Sequence, residues 1–78
     1  MNTTSIHGSR TDRFESVMSG VTDDLNHFAS WLNRDPERAK DVVQETMLLA
    51  WRCFDSLRDE AAVKPWLFTI ARNETNRQ

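Results

Sequence analysis

The chain has 78 residues, enough for one small domain, and with 38% apolar residues its core must be compact, drawing bulk from three Trp and four Phe. A formal charge of −2 argues against a self-sufficient nucleic-acid binder, which is usually strongly basic. The single Cys53 rules out an internal disulfide, and with His7 and His27 it matches no zinc spacing.

The charge is unevenly placed: residues 1–49 carry five basic and eight acidic groups, and residues 50–78 carry five basic and four acidic groups. Any DNA contact is therefore expected to be weak alone and to depend on a larger assembly. No apolar run approaches a membrane span, and the N-terminus lacks a basic start followed by an apolar core. A soluble, cytoplasmic setting without membrane contact is the expectation. No constellation suited to catalysis, a metal, a cofactor or a small molecule stands out, so the chain is not expected to be an enzyme.

Residues 1 to 11 are polar and aperiodic and predict a disordered N-terminal tail, leaving residues 12 to 78 as the folded domain. From Asp12 onward Phe14, Val17, Met18, Val21, Leu25, Phe28, Ala29 and Leu32 recur at three- and four-residue steps. That spacing predicts a first helix, capped by Thr11 or Asp12, with Gly20 marking a bend or a close helix contact. Asn33 and Arg34 end it. Asp35-Pro36 then predicts the start of a second helix, because Asp accepts from the free amides of the first turn and Pro loses no bond there.

The second helix is expected to run from residue 36 to about residue 54 or 57. Val42, Val43, Thr46, Met47, Ala50 and Phe54 fall on one broad apolar face, while Asp41, Gln44 and Glu45 stand together on another. The first face can bury. The second is an acidic and amide patch that no core requires, which suits docking. Residues 55 to 64 predict a charged connector with a short helical turn, and Lys64-Pro65 a break before a third helix. Trp66, Leu67, Ile70 and Ala71 are placed on the inner side of that helix, which continues at least to Asn73. With no strand-like alternation, the fold class is all-α, a compact three- to four-helix bundle.

In order, the sequence presents an amphipathic helix, Asp-Pro-Glu, Asp-Val-Val-Gln-Glu-Thr with Ala-Trp after it, Phe-Asp-Ser-Leu-Arg, and Pro-Trp-Leu-Phe-Thr-Ile-Ala-Arg-Asn. This series resembles region 2 of the extracytoplasmic-function (ECF) sigma factors of bacterial RNA polymerase, over about residues 12 to 76. The resemblance implies a sigma region 2 fold and a role in transcription initiation. It implies that Asp41, Gln44 and Glu45, with Leu48, bind the clamp coiled coil of the largest subunit of core RNA polymerase. It also implies contact with the non-template strand of the promoter minus-ten element, where a base flips into a pocket walled by Phe54, Ser56, Leu57 and Arg58. Asn73 takes the family's base-reading Asn position, and Lys64 and Arg72 join the DNA-binding set. The 78 residues do not include the separate helix-turn-helix domain by which such factors read the minus-thirty-five element, as expected of a partial protein or a single domain.

The sequence departs from the family pattern at Leu57, where an aromatic is frequent, and at Asp59, where a small residue is. With Glu60, Asp59 is expected to repel phosphates. These departures motivate a second reading, a protein-interaction module bound chiefly by an anti-sigma factor with weak promoter selectivity. A third reading, an autonomous helix-turn-helix binder, is disfavoured by the low basicity. Among single residues, Trp51 and Trp66 are expected to be core anchors and Cys53 a small buried hydrophobe. Trp31 lies beside the main stripe and fits a partner surface and helix packing equally.

Overall fold

The apolar steps from Phe14 to Leu32 form two helices, where the sequence predicts one. The computed structural model describes the backbone of residues 2–77 and the side chains of residues 10–77. In it α1 spans Asn2–Ser19 and α2 spans Thr22–Leu32. Between them Val21 leaves helical geometry (φ −127°, ψ 0°), and its amide donates to Met18 O at 2.9 Å, a tighter turn than the α-helical one. The Thr22 hydroxyl donates to the same carbonyl at 2.7 Å, and the Leu25 amide donates to Val21 O at 2.8 Å, which returns the chain to helix. Periodicity hides the break because Met18, Val21 and Leu25 keep three- and four-residue steps across it and all three are buried.

Helix α1 also begins earlier than expected, at Asn2, so neither Thr11 nor Asp12 is a cap. Met1 and the side chains of residues 1–9 lie outside the described residues, as does Gln78. The aperiodic polar stretch of residues 2 to 11 is thus helical backbone. Adding residues to an existing helix costs far less than starting one, and no apolar stripe is needed for that.

Asp35 and Pro36 act as the sequence predicts. The Asp35 carboxylate accepts from the Glu37 amide at 3.0 Å, and Pro36 opens α3, which spans Pro36–Arg52. The connector that follows holds two 3₁₀ turns, η1 (Phe54–Ser56) and η2 (Glu60–Ala62), before α4 (Val63–Arg77). Helix α4 therefore starts two residues before Pro65. Pro65 sits in its first turn, where a missing amide costs nothing. Among the described residues there is no strand, and no helix is long and apolar enough to cross a membrane.

Three helices, α2, α3 and α4, pack around one core. Its centre combines bulk from Leu25, Val42, Phe54 and Leu67 with small residues, Ala29, Ala50 and Ala71, that let the helices approach closely. Asn33 ends α2 inside this core. Its side-chain amide donates to Ala29 O at 2.9 Å and to Thr75 Oγ1 on α4 at 3.2 Å, satisfying a buried polar group.

Helix α1 lies against the far end of α3 and the connector through aromatic and ionic contacts. The Phe14 ring meets the Trp51 and Phe54 rings edge-on, each at 5.1 Å. The Arg10 guanidinium lies 4.2 Å over the Trp51 ring and donates to Trp51 O at 2.8 Å. Trp51 is consequently a partly exposed lid on this contact and not the core anchor expected, whereas Trp66 is half-buried and packs against the core as expected. Cys53 corrects a further expectation. It is exposed, because α3 ends at Arg52 and the backbone direction changes at Cys53.

Two predictions follow from these joints. Gly20 has no positive φ, and a Cβ there would stand 3.9 Å from Val17 O, an ordinary contact, so it marks a bend with no close helix approach. Gly20→Ala should stabilise the fold by about 0.4–1 kcal/mol in urea unfolding, by restricting the unfolded chain. Asp24 and Lys64 join α2 to α4 at 2.8 Å, and hydrogen bonding to and charge from Lys64 hold the Asp24 carboxyl below its ordinary value. A depressed carboxyl contributes stability above its unfolded pKa and loses it as pH falls through the folded one. Asp24→Asn should therefore lower the thermal midpoint at pH 7, and the difference from wild type should close below about pH 4.

Candidate functional site

Two exposed faces carry the residues singled out from the sequence. The first is the outer side of α3. Val42 and Thr46 are 0% exposed on its inner side, while Asp41, Gln44 and Glu45 stand at the surface and Leu48 is 54% exposed beside them. Steps of three and four residues keep these four together. They are not covered by the described residues.

This face is concave where it meets α4. A cavity of about 440 Å³ is lined by Asp41, Gln44 and Glu45 from α3 and by Glu74 and Arg77 from α4. Neither of the last two was expected at this face from the sequence. The signal was present: Glu74 continues the inner stripe of Leu67 and Ala71 at steps of four and three, so helical phase alone turns it inward. It is buried, with its Oε2 3.4 Å from the Arg77 guanidinium.

The second face runs along α4. Pro65, Thr69, Arg72, Asn73 and Asn76 are exposed and recur at helical steps. Asn73 lies mid-helix, so it is not the end-capping amide that a helix C-terminus would use. Next to this stripe Phe28 of α2 stacks on Phe68 at 4.2 Å with the rings 7° from parallel, and Trp31 extends the stack at 6.3 Å. A shallow cavity of about 320 Å³ is lined by Phe28, Pro65, Phe68, Thr69 and Arg72. Aromatic surface beside a guanidinium can stack a base and hold a phosphate. Trp31 is 77% exposed, so most of its ring is surface.

In the connector Phe54 and Leu57 are buried, and the η1 turn aims Phe54 at Phe14 and the core. Ser56 and Arg58 remain exposed. Ser56 donates to Cys53 O at 2.7 Å and accepts from Trp66 Nε1 at 3.3 Å, which fixes the connector to the start of α4. Lys64 reaches the aromatic face but is paired with Asp24.

Acidic connector residues have local partners. Asp59 caps η2, accepting from the Ala61 amide at 3.0 Å, Glu60 pairs with Arg13 at 3.4 Å, and Asp55 pairs with Arg10 at 3.3 Å. Asp59 is thus explained by the turn it starts, and its charge and that of Glu60 are engaged by the fold. Among the described residues no cluster of His, Cys, Asp and Glu is suited to hold a metal ion.

Comparison with known proteins supplies the family. The family model for Sigma-70 region 2 matches residues 21–78. The chain is 38% identical over 63 residues to the ECF RNA polymerase sigma factor EcfG of Rhodopseudomonas palustris, covering 81% of this chain and 35% of that protein. It is 47% identical over 50 residues to the ECF RNA polymerase sigma factor SigL of Mycobacterium tuberculosis, covering 63% of this chain and 28% of that one. The ECF RNA polymerase sigma factor SigM of Bacillus subtilis is 39% identical over 59 residues, 76% of this chain and 36% of its own. The chain thus spans about a third of the length of these curated relatives. No solved structure matches it. All-helical architecture, the matching family model and these relatives together place the chain in the Sigma-70 region 2 family, as an ECF sigma factor region 2 domain.

Proposed function

We propose that this domain joins core RNA polymerase through the outer face of α3 and engages the non-template strand of the minus-ten element through α4 and the connector during transcription initiation. The observation that carries the reading is the exposed Asp41, Gln44, Glu45 and Leu48 stripe on a helix whose opposite side is buried in the core. Carboxylates and an amide at this spacing accept charge-assisted bonds from Arg and Lys of a basic coiled coil, and Leu48 adds apolar contact beside them.

For DNA the reading rests on Asn73, Arg72, Thr69, Ser56 and Arg58, all exposed. An exposed amide can pair donor and acceptor with a base edge, as Asn does with adenine. Arg58 and Arg72 make no ion pair among the described residues, which leaves their charge for phosphates. The modest charge of the chain makes this contact secondary to polymerase docking, so promoter binding belongs to the assembled holoenzyme.

A second reading, a module held chiefly by an anti-sigma factor, is favoured by Trp31, whose exposed ring extends the Phe28–Phe68 stack into an apolar patch. Two experiments separate the readings. Gln44→Ala with Glu45→Ala should weaken binding to a fragment carrying the polymerase clamp coiled coil by at least about tenfold, the loss of one or two hydrogen bonds to charged groups. Unchanged affinity removes the docking assignment. Asn73→Ala, in complex with core polymerase, should lose about 1–3 kcal/mol of discrimination at one position of single-stranded minus-ten DNA. Absence of any sequence preference in the wild type would instead favour the anti-sigma reading.

A further inference from the structure

The cavity between α3 and the end of α4 holds more negative charge than a helix surface needs. Asp41 and Glu45 stand exposed on one wall, Glu74 lies on the other with 3% exposure, and Arg77 supplies the cation among the lining residues. Three carboxyl groups against one guanidinium leave a formal charge of −2 in the cavity. The Glu74 Oε1 atom is buried and has no hydrogen-bond partner among the described residues. An inward-facing acceptor left unmatched destabilises a fold, and this position sits on a stripe otherwise filled by Leu67 and Ala71. Folding alone gives no reason to keep it.

Arg77 holds Glu74 loosely. Its guanidinium is 3.4 Å from Oε2, across one helical turn, and the Arg77 side chain is 74% exposed at the last turn of α4. The contact is longer than a good hydrogen bond and its Arg77 side is exposed, so the guanidinium can leave Glu74 when another cation takes its place.

We infer that this cavity receives one arginine side chain from the partner helix, with Glu74 as the acceptor at its floor, Asp41 and Glu45 as acceptors at its rim, and Arg77 as the intramolecular stand-in that the incoming arginine displaces. The inference rests on the reading of α3 as the polymerase-docking face. It adds α4 to that face and makes Glu74 a specificity residue. Arginine fits better than lysine because its planar fork can bond acceptors on two walls at once, where an ammonium acts as a single point. Completing the bonding of Glu74 only on binding also gives the site a way to reject partners that bring an apolar or acidic residue to the same place.

The test is a titration of the whole chain with the clamp coiled-coil fragment, run beside thermal unfolding. Glu74→Gln, which keeps shape and loses charge, and Glu74→Leu, which matches the stripe, should each lower affinity about tenfold. Glu74→Leu should at the same time raise the thermal midpoint, a combination that a merely structural role would not produce. Arg77→Gln should tighten binding about two- to fivefold by removing the competitor. Affinity unchanged by both Glu74 variants, while the Gln44 and Glu45 variant still loses it, overturns the arginine site and leaves the docking reading standing. Affinity unchanged by all of them removes the docking reading itself. A lowered midpoint for Glu74→Leu overturns the claim that the carboxylate opposes folding, and weaker binding by Arg77→Gln overturns its role as stand-in.

Discussion

Burial of one side of α3 is the constraint from which the other features follow. Ala39, Val42, Thr46 and Ala50 occupy that side at helical steps, and all lie against α2 and α4 in the core. Turning the helix by one residue would carry Val42 outward, at about 1.5–3 kcal/mol for a full-sized apolar side chain, and would draw Asp41 or Glu45 inward at a further cost of several kcal/mol. The helix has one tenable rotation. With the inner side fixed, the positions of Asp41, Gln44, Glu45 and Leu48 on the outer side are fixed as well, and a surface suited to docking is presented without any ordering on contact. Thr46 is the exception within this side: its hydroxyl is buried without a hydrogen-bond partner among the described residues, so its methyl contributes to packing while its oxygen opposes it.

Helix α4 relates the two faces to one another. Leu67 and Ala71 bind it to the core, and the residues on either side of that stripe diverge. Glu74 and Arg77 turn toward α3 and close the acidic cavity, whereas Thr69 and Arg72 border the aromatic pair of Phe28 and Phe68, and Asn73 is exposed. The connector reaches the same helix through Ser56 and Trp66, and α1 holds the connector through Arg10 and Arg13.

Much of this was legible in the sequence because it depends on local chemistry. Asp35-Pro36 specifies a helix start by capping and by a missing amide, and the partition of α3 needs only the helical period. The misread features depend on tertiary direction. The α1–α2 break keeps its apolar spacing, so no period could expose it. Cys53 follows the end of α3, where the helical phase no longer applies, and the turn sends it outward, while Phe54 is buried as its place on the apolar face predicts. Asp59 looked like a charge out of place and proves to be the cap of a short turn. Glu74 was in phase with the inner stripe and could have been found by counting, but a carboxylate is not the residue one counts toward a core.

Amide hydrogen exchange along α3, with and without the polymerase clamp coiled coil, tests the central claim most directly. The account predicts that the amides of Val42, Thr46 and Ala50 are protected in the free chain, and that binding adds protection around Asp41, Gln44, Glu45 and Leu48 without altering the rest of the bundle. Added protection centred on the α4 stripe with none on α3, or a free chain whose α3 amides exchange at the rate of an unfolded segment, would contradict it.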